Sequence, residues 1–295
     1  MRLISAKHIL SSISPDDDYL PGDFGMNLYR GCTFGCIYCD SRSVCYQNPD
    51  FDNIYAKENA ISILDDEMRK KRKKGIIRSG SACDPYNSLE PEAKLTAASL
   101  ELMKRYGFGF GILTKSDLIL RDKELLSSIA DVCPSYAAFT LTTADDSLAA
   151  RIEMGAPRPS ARLSAMRELS ALGIFTGTMM TPTLPYITDS IDTLKSVIEK
   201  TAENGGRFVI SYAGMTLRDG NREYYYNALR EISPSLPLQY AKEYGSAYQV
   251  PVSGAENYLE KHRELCRQYG LLYSLRAVRE AVRAQGTRFE QLSLI

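Results

Sequence analysis

The chain has 295 residues, 36 basic against 36 acidic side chains, and 44% hydrophobic residues. That composition suits a globular protein of one large domain, or a domain with an extension. It excludes a uniformly basic nucleic-acid binder, though not a local basic surface, and no apolar run reaches the length of a membrane span.

The opening stretch MRLISAKHILSSISPDDDYL has only short apolar pieces before an acidic run, unlike a signal peptide. A cytoplasmic location is the expectation. Beyond it, apolar runs at 25–30, 74–81, 107–114, 135–143, 173–181 and 206–214 predict strands. Between them, 57–74, 91–106, 117–132, 160–172 and 189–206 predict helices, the last stopping at Gly205-Gly206. Strands alternating with helices predict an α/β fold with a parallel sheet. Six such units fit a partial (βα)6 TIM-type barrel, with an open twisted sheet as the alternative. Residues 20–215 are read as this core. Residues 216–295 read as helices with no strands between them, an α-helical C-terminal extension. The basic run Arg69 to Lys74 is expected to end the first helix, where cations favour the helix dipole. A phosphate-contacting patch is its other reading.

Four of the seven cysteines fall within NLYRGCTFGCIYCDSRSVCY, residues 27–46. Reduced thiols this close together point to metal or redox chemistry. Cys32, Cys36 and Cys39 stand in a C-x3-C-x2-C frame. A structural zinc site wants four closed ligands, and the fourth would have to be Cys45, Cys83, Cys133, Cys266 or one of the two histidines. No second C-x2-C pair supports that. Three thiols holding a 4Fe-4S cluster would leave one iron open to an outside ligand.

GCTFGCIYC resembles the signature of radical S-adenosylmethionine (SAM) enzymes, with Tyr38 at its aromatic position and the motif directly after the first predicted strand. The blocks SGSACDPYNSLEPEAKLT, ILTKSDLILRD, FTLTTADDSLAARIEMGAPRPSARLSAMRELSALGI and TGTMMTPTLP resemble, in order and spacing, the branch that contains spore photoproduct lyase and its uncharacterised relatives. The resemblance implies a 4Fe-4S cluster on Cys32, Cys36 and Cys39, with SAM chelating the open iron. It implies reductive cleavage of SAM to a 5′-deoxyadenosyl radical that abstracts hydrogen from a substrate, and an external electron donor of flavodoxin or ferredoxin type. The cofactor carries that chemistry, and the protein orients it.

Carried over by position, the resemblance puts Tyr38, Ser81, Lys115 and Thr140 around SAM, with Lys115 and Thr140 at its carboxylate. Such donors at strand C-terminal ends would face one mouth of the barrel. Glu153 stands where the family has Glu-Pro, as a ligand or in a salt bridge with Arg162. In the lyase a tyrosine of the hydrogen-transfer relay follows the third cysteine; here it is Asp40, as in the uncharacterised relatives. Cys83, two residues past Ser81 on an extended strand, would share its face. It reads as a small buried thiol, or as a hydrogen-atom donor to a substrate radical. Cys133 and Cys266 read as core thiols, and the three tyrosines of REYYYN (222–227) as mostly packing.

The branch favours a modified or damaged nucleic acid as substrate. The alternatives are radical chemistry on a small molecule or protein side chain, and a metal-stabilised module that delivers a partner to DNA. QLSLI, Gln291 to Ile295, resembles the Gln-Leu-x-Leu-Phe peptide by which bacterial repair and replication proteins dock on the sliding clamp, with Ile for Phe. A segment folding back on the domain is its ordinary reading.

Overall fold

The computed structural model describes residues 2–292 except Pro15 and Asp18, with side chains to Gly286. Residues 293–295 and the side chains of 291 and 292 lie outside this description, and the clamp-peptide reading falls there. Six parallel strands form the main sheet: β1 (Phe24–Met26), β2 (Ile76–Ser79), β3 (Gly109–Thr114), β4 (Tyr136–Thr140), β5 (Phe175–Met180) and β6 (Val209–Ser211). Each pairs with the next in chain order, and the short strand Leu10–Ser12 pairs antiparallel with β1 at the edge. A doubly wound sheet reverses its order at a switch point; this one never does, so the partial barrel stands and the open-sheet alternative falls.

Helices α1 (Ala60–Lys70), α2 (Leu95–Tyr106), α3 (Lys123–Ala130), α4 (Pro159–Ala171) and α5 (Ile191–Glu203) make the crossovers. The strands alternate between two buried faces. Ile77, Phe110, Ile112, Ala137 and Phe139 pack outward, in one cluster with residues of α1 to α4. Ile76, Leu113, Tyr136, Ala138, Met179 and Phe208 form a separate inner cluster. Burial on both faces explains why these strands read as continuous apolar runs.

The first expected strand divides. Its start is β1, but Tyr29–Arg30 leaves the main sheet and pairs with Tyr55–Lys57 in a three-stranded sheet. Lys57 therefore ends a strand rather than starting a helix. Only Arg69 and Lys70 of the basic run lie in α1; Lys71 caps it. The rest leads into β2, at the N-terminal end of the sheet, away from the site described below. Lys71 covers the Phe24 ring at 4.9 Å and Lys74 the Phe108 ring at 4.7 Å.

Beyond β6 come α6 (Asn221–Ile232), α7 (Leu236–Tyr244), α8 (Ala255–Gln268) and α9 (Leu275–Leu292). They are not strand-free: Gly214–Thr216 pairs antiparallel with Gln249–Pro251. Tyr225 and Tyr226 pack edge-on against Tyr240, while Tyr224 lies 3.9 Å from the Arg42 guanidinium, so the three tyrosines divide between packing and one cation contact. No helix among the described residues is long and apolar enough to cross a membrane.

Candidate active site

The cysteine loop follows β1 and is pinned on two sides. The Cys32 N–H donates to the Phe51 carbonyl at 2.8 Å. Gly31, at φ +86°, passes so close to Asn53 that a Cβ there would lie 2.0 Å from the Asn53 carbonyl oxygen. Opposite, Cys36 bridges to Glu153, Ile37 donates to the Ile152 carbonyl at 3.0 Å, and Gly155 donates to that of Phe34 at 2.9 Å. The segment following β4 thus holds the loop over the strand ends.

Cys32, Cys36 and Cys39 line one cavity of about 80 Å³ together with Ser81, Lys115 and Thr140. A wider cavity of about 510 Å³ shares Cys39, Ser81, Lys115 and Thr140, and adds Tyr38. Lys115 and Thr140 sit at the C-terminal ends of β3 and β4, and Ser81 just past that of β2. The residues expected around SAM are thus brought to one mouth of the barrel.

The mouth is organised by buried charge. Glu153 and Arg162, each 1% exposed in their side chains, form an ion pair at 2.5 Å. The Tyr38 hydroxyl donates to the same carboxylate, and Arg162 also donates to the Thr140 carbonyl at 2.9 Å. Glu153 is therefore in the salt bridge, tying the cysteine loop to β4. Burial opposes its charge, but Arg162 and Lys115 outweigh that and hold its carboxyl below the usual range. Lys115 lies over the Tyr38 ring, 5.6 Å from its centroid. Burial opposes the charge of its ammonium, while Cys36, once a thiolate, and the Glu153 carboxylate favour it and raise it.

These residues fit an iron–sulfur cluster. Burial pushes the Cys36 thiol up to about 12 and raises Cys32 as well, so both keep their protons until a metal displaces them. Among the described residues no three His, Cys, Asp or Glu side chains converge on a single-ion site. Three thiols spread along one cavity wall suit a cubane that takes one thiol per iron. Of the other ligands considered, Cys45 is exposed and accepts from Arg218, Cys133 and Cys266 are buried in the core, His8 contacts Glu67, and His262 donates to the Val209 carbonyl.

Cys83 does line the cysteine cavity, but the geometry differs from an extended strand. β2 ends at Ser79, and Gly80, at φ +100°, turns the chain where a Cβ would meet the Leu113 carbonyl at 1.8 Å. Ser81 and Cys83 therefore do not share a strand face. The Cys83 thiol is buried, donates to the Tyr29 carbonyl at 3.3 Å, and is pushed up to about 12, mainly by burial.

Two contributors escape sequence reading. Asp84 accepts from Thr114 Oγ1 and from the Lys115 N–H, both at 2.7 Å, which fixes the end of β3 where Lys115 departs. Its one local signal is Asp-Pro, a turn pair. Arg218 reaches the rim, 3.4 Å from Asp40 and 2.8 Å from the Tyr248 hydroxyl. Asp40 also accepts from the Tyr46 hydroxyl at 2.9 Å.

Residues 26–197 match the family model described as the radical SAM superfamily. The uncharacterised protein Rv2578c of Mycobacterium tuberculosis is 30% identical over 264 residues, 87% of this chain and 77% of its own. The uncharacterised protein MJ0683 of Methanocaldococcus jannaschii is 30% identical over 174 residues, 58% of this chain and 64% of its own. The fold is similar to that of spore photoproduct lyase complexed with dinucleoside spore photoproduct, at TM-score 0.63 and 14% identity, over 92% of this chain and 81% of that one. A variant of that lyase with bound AdoMet and dinucleoside spore photoproduct gives TM-score 0.65 at 13% identity over the same shares. With its family model matched over more than half its length, the chain belongs to the radical SAM superfamily.

Proposed function

We propose that the protein reductively cleaves SAM and abstracts hydrogen from a modified or damaged nucleic acid. The observation that carries the first part is the meeting of Cys32, Cys36 and Cys39 with Ser81, Lys115 and Thr140 on one cavity at the strand C-terminal ends. The three thiols would hold a 4Fe-4S cluster, which when bound supplies the electron for sulfonium cleavage. Lys115 would meet the SAM carboxylate with a charge-assisted hydrogen bond, and Thr140 and Ser81 would add hydroxyls. Tyr38, fixed by Glu153, walls the wider cavity and limits water beside the reacting atoms. An external flavodoxin- or ferredoxin-type protein would deliver the electron.

The substrate class is supported by the lyase whose fold is similar and whose ligand is a dinucleoside. It is also supported by the rim, where Tyr46 and Tyr212 of the wider cavity are 47% and 41% exposed. Exposed aromatic faces stack on bases without regard to sequence. The sliding-clamp peptide at 291–295 remains a proposal for delivery to DNA; a clamp pulldown lost on deleting those residues would support it.

Anaerobic reconstitution with iron and sulfide should give a brown protein that releases 5′-deoxyadenosine from SAM on reduction. Serine at Cys32, Cys36 or Cys39 should abolish this. A colourless protein with one tight zinc would overturn the reading. Deuterated oligonucleotides carrying photodamage should pass label into 5′-deoxyadenosine; label from a small metabolite or protein side chain instead would reassign the substrate.

A further inference from the structure

A third cavity, of about 210 Å³, adjoins the other two. It shares Ser41 and Tyr46 with the wide cavity and Ser41 and Cys83 with the cysteine cavity. Its charged lining residues are Arg30 and Lys57, and none of its lining residues is a carboxylate. The small sheet brings the two cations together. Arg30 pairs with Tyr55, and Lys57 lies two residues further along the same strand. Paired residues, and residues two apart, point to the same face, so Arg30 and Lys57 are diagonal neighbours on one face.

Among the described residues no carboxylate pairs with either cation. The Lys57 ammonium has no hydrogen bond or ion pair among the described residues, and the Arg30 guanidinium donates only to the Gln47 carbonyl. Half-burial lowers the Lys57 ammonium, and Arg30 opposes its charge; Glu67 favours it, as Cys83 would only as a thiolate. Glu67 is committed elsewhere, to the Leu10 N–H at 2.8 Å, the Ile9 N–H at 3.1 Å and His8. The side-chain amides of Asn27 and Asn48 add neutral donors to the wall. Two like charges on the wall of one half-buried cavity repel, and an anion between them removes both the repulsion and the unmet solvation.

We propose that this cavity is an anion subsite that takes one phosphate group of the substrate, Arg30 offering a planar fork and Lys57 a point charge. The neighbouring part of the substrate is thereby seated against the wall that Cys83 shares with the cysteine cavity. This rests on the nucleic-acid reading above for the source of the phosphate, though not for the chemistry of the subsite. Arg grips phosphate through paired N–H donors and Lys through its compact charge.

The test is calorimetric titration of the reconstituted protein with thymidylyl-thymidine, which has one phosphodiester, with its uncharged methylphosphonate analogue, and with inorganic phosphate. Arg30→Gln and Lys57→Gln should each weaken dinucleotide binding at least about tenfold, with Arg30→Lys and Lys57→Arg closer to wild type and Lys94→Gln unchanged. The uncharged analogue should not distinguish the variants. Circular dichroism confirms that each variant is folded. Phosphate binding without dinucleotide binding would uphold the subsite and remove nucleic acid as its source. A wild type that binds neither anion, or glutamine variants that bind as wild type does, would overturn the proposal. Protein that binds the dinucleotide through Arg30 and Lys57 yet never cleaves SAM would sink the enzyme reading and leave this one standing.

Discussion

At the scale of residues, Lys115 is the side chain on which the proposed cofactor geometry turns. Its ammonium is buried, yet the Glu153 carboxylate favours its charge, as Cys36 does once it is a thiolate, and Asp84 accepts from its backbone N–H. Such a charge has lost much of its water before any ligand arrives, so a carboxylate meets it at little further desolvation cost. A hydrogen bond to a charged group contributes about 1.5–3 kcal/mol. Lys115→Ala should therefore weaken SAM binding about 10- to 100-fold while iron and sulfide content stay at wild-type levels. Equilibrium dialysis of labelled SAM beside an iron assay checks this. Loss of the cluster together with SAM would instead assign Lys115 to the cysteine loop.

At the scale of elements, the turn at Gly80, just past the end of β2, is made against a neighbouring strand. Gly80 and Gly107 both have positive φ, +100° and +71°, but their surroundings differ. A Cβ at Gly107 meets nothing within 4 Å, whereas one at Gly80 would strike the Leu113 carbonyl of β3. Gly107→Ala should then cost only the left-handed strain, about 1–2 kcal/mol. Gly80→Ala adds the displacement of a neighbouring strand and should cost at least about 3 kcal/mol. Urea denaturation of the two variants separates strain from crowding, and equal costs would contradict it. The contrast also shows what the sequence could and could not convey. The six strands were legible because both their faces are buried, and the cysteine motif because its spacing is local. Gln249–Pro251 was not legible, since three residues between helices carry no alternation and their partner lies at Gly214–Thr216. Lys57 was misread as helical because only its pairing beside Tyr29–Arg30 makes it a strand end. Asp84 and Arg218 were missed because their partners lie far away in the chain: Lys115 for one, Asp40 for the other.

At the scale of the whole molecule, α9 completes the barrel. A six-stranded partial barrel leaves its inner face uncovered, and that face is apolar below the mouth. Val278 and Val282 of α9, both fully buried, join Leu20, Ile76, Tyr136 and Phe208 in the inner cluster. Gln285 accepts from the Ser135 N–H at 3.0 Å, at the start of β4, and Arg279 donates to the Tyr19 carbonyl at 2.8 Å. Tyr19 lines the wide cavity, so the helix that fills the inner face also braces the rim above it. Each Val→Ala change removes two methyl groups, about 1.6 kcal/mol of transfer free energy at about 0.8 each, plus a cavity term. Val278→Ala with Val282→Ala should thus cost about 3–5 kcal/mol, a large part of the roughly 5–15 kcal/mol typical of a folded domain. Deleting residues 275–295 should abolish soluble folded protein. A truncated chain that still folded and bound its cluster would mean that the barrel is stable with its inner face open, and that α9 serves the rim alone.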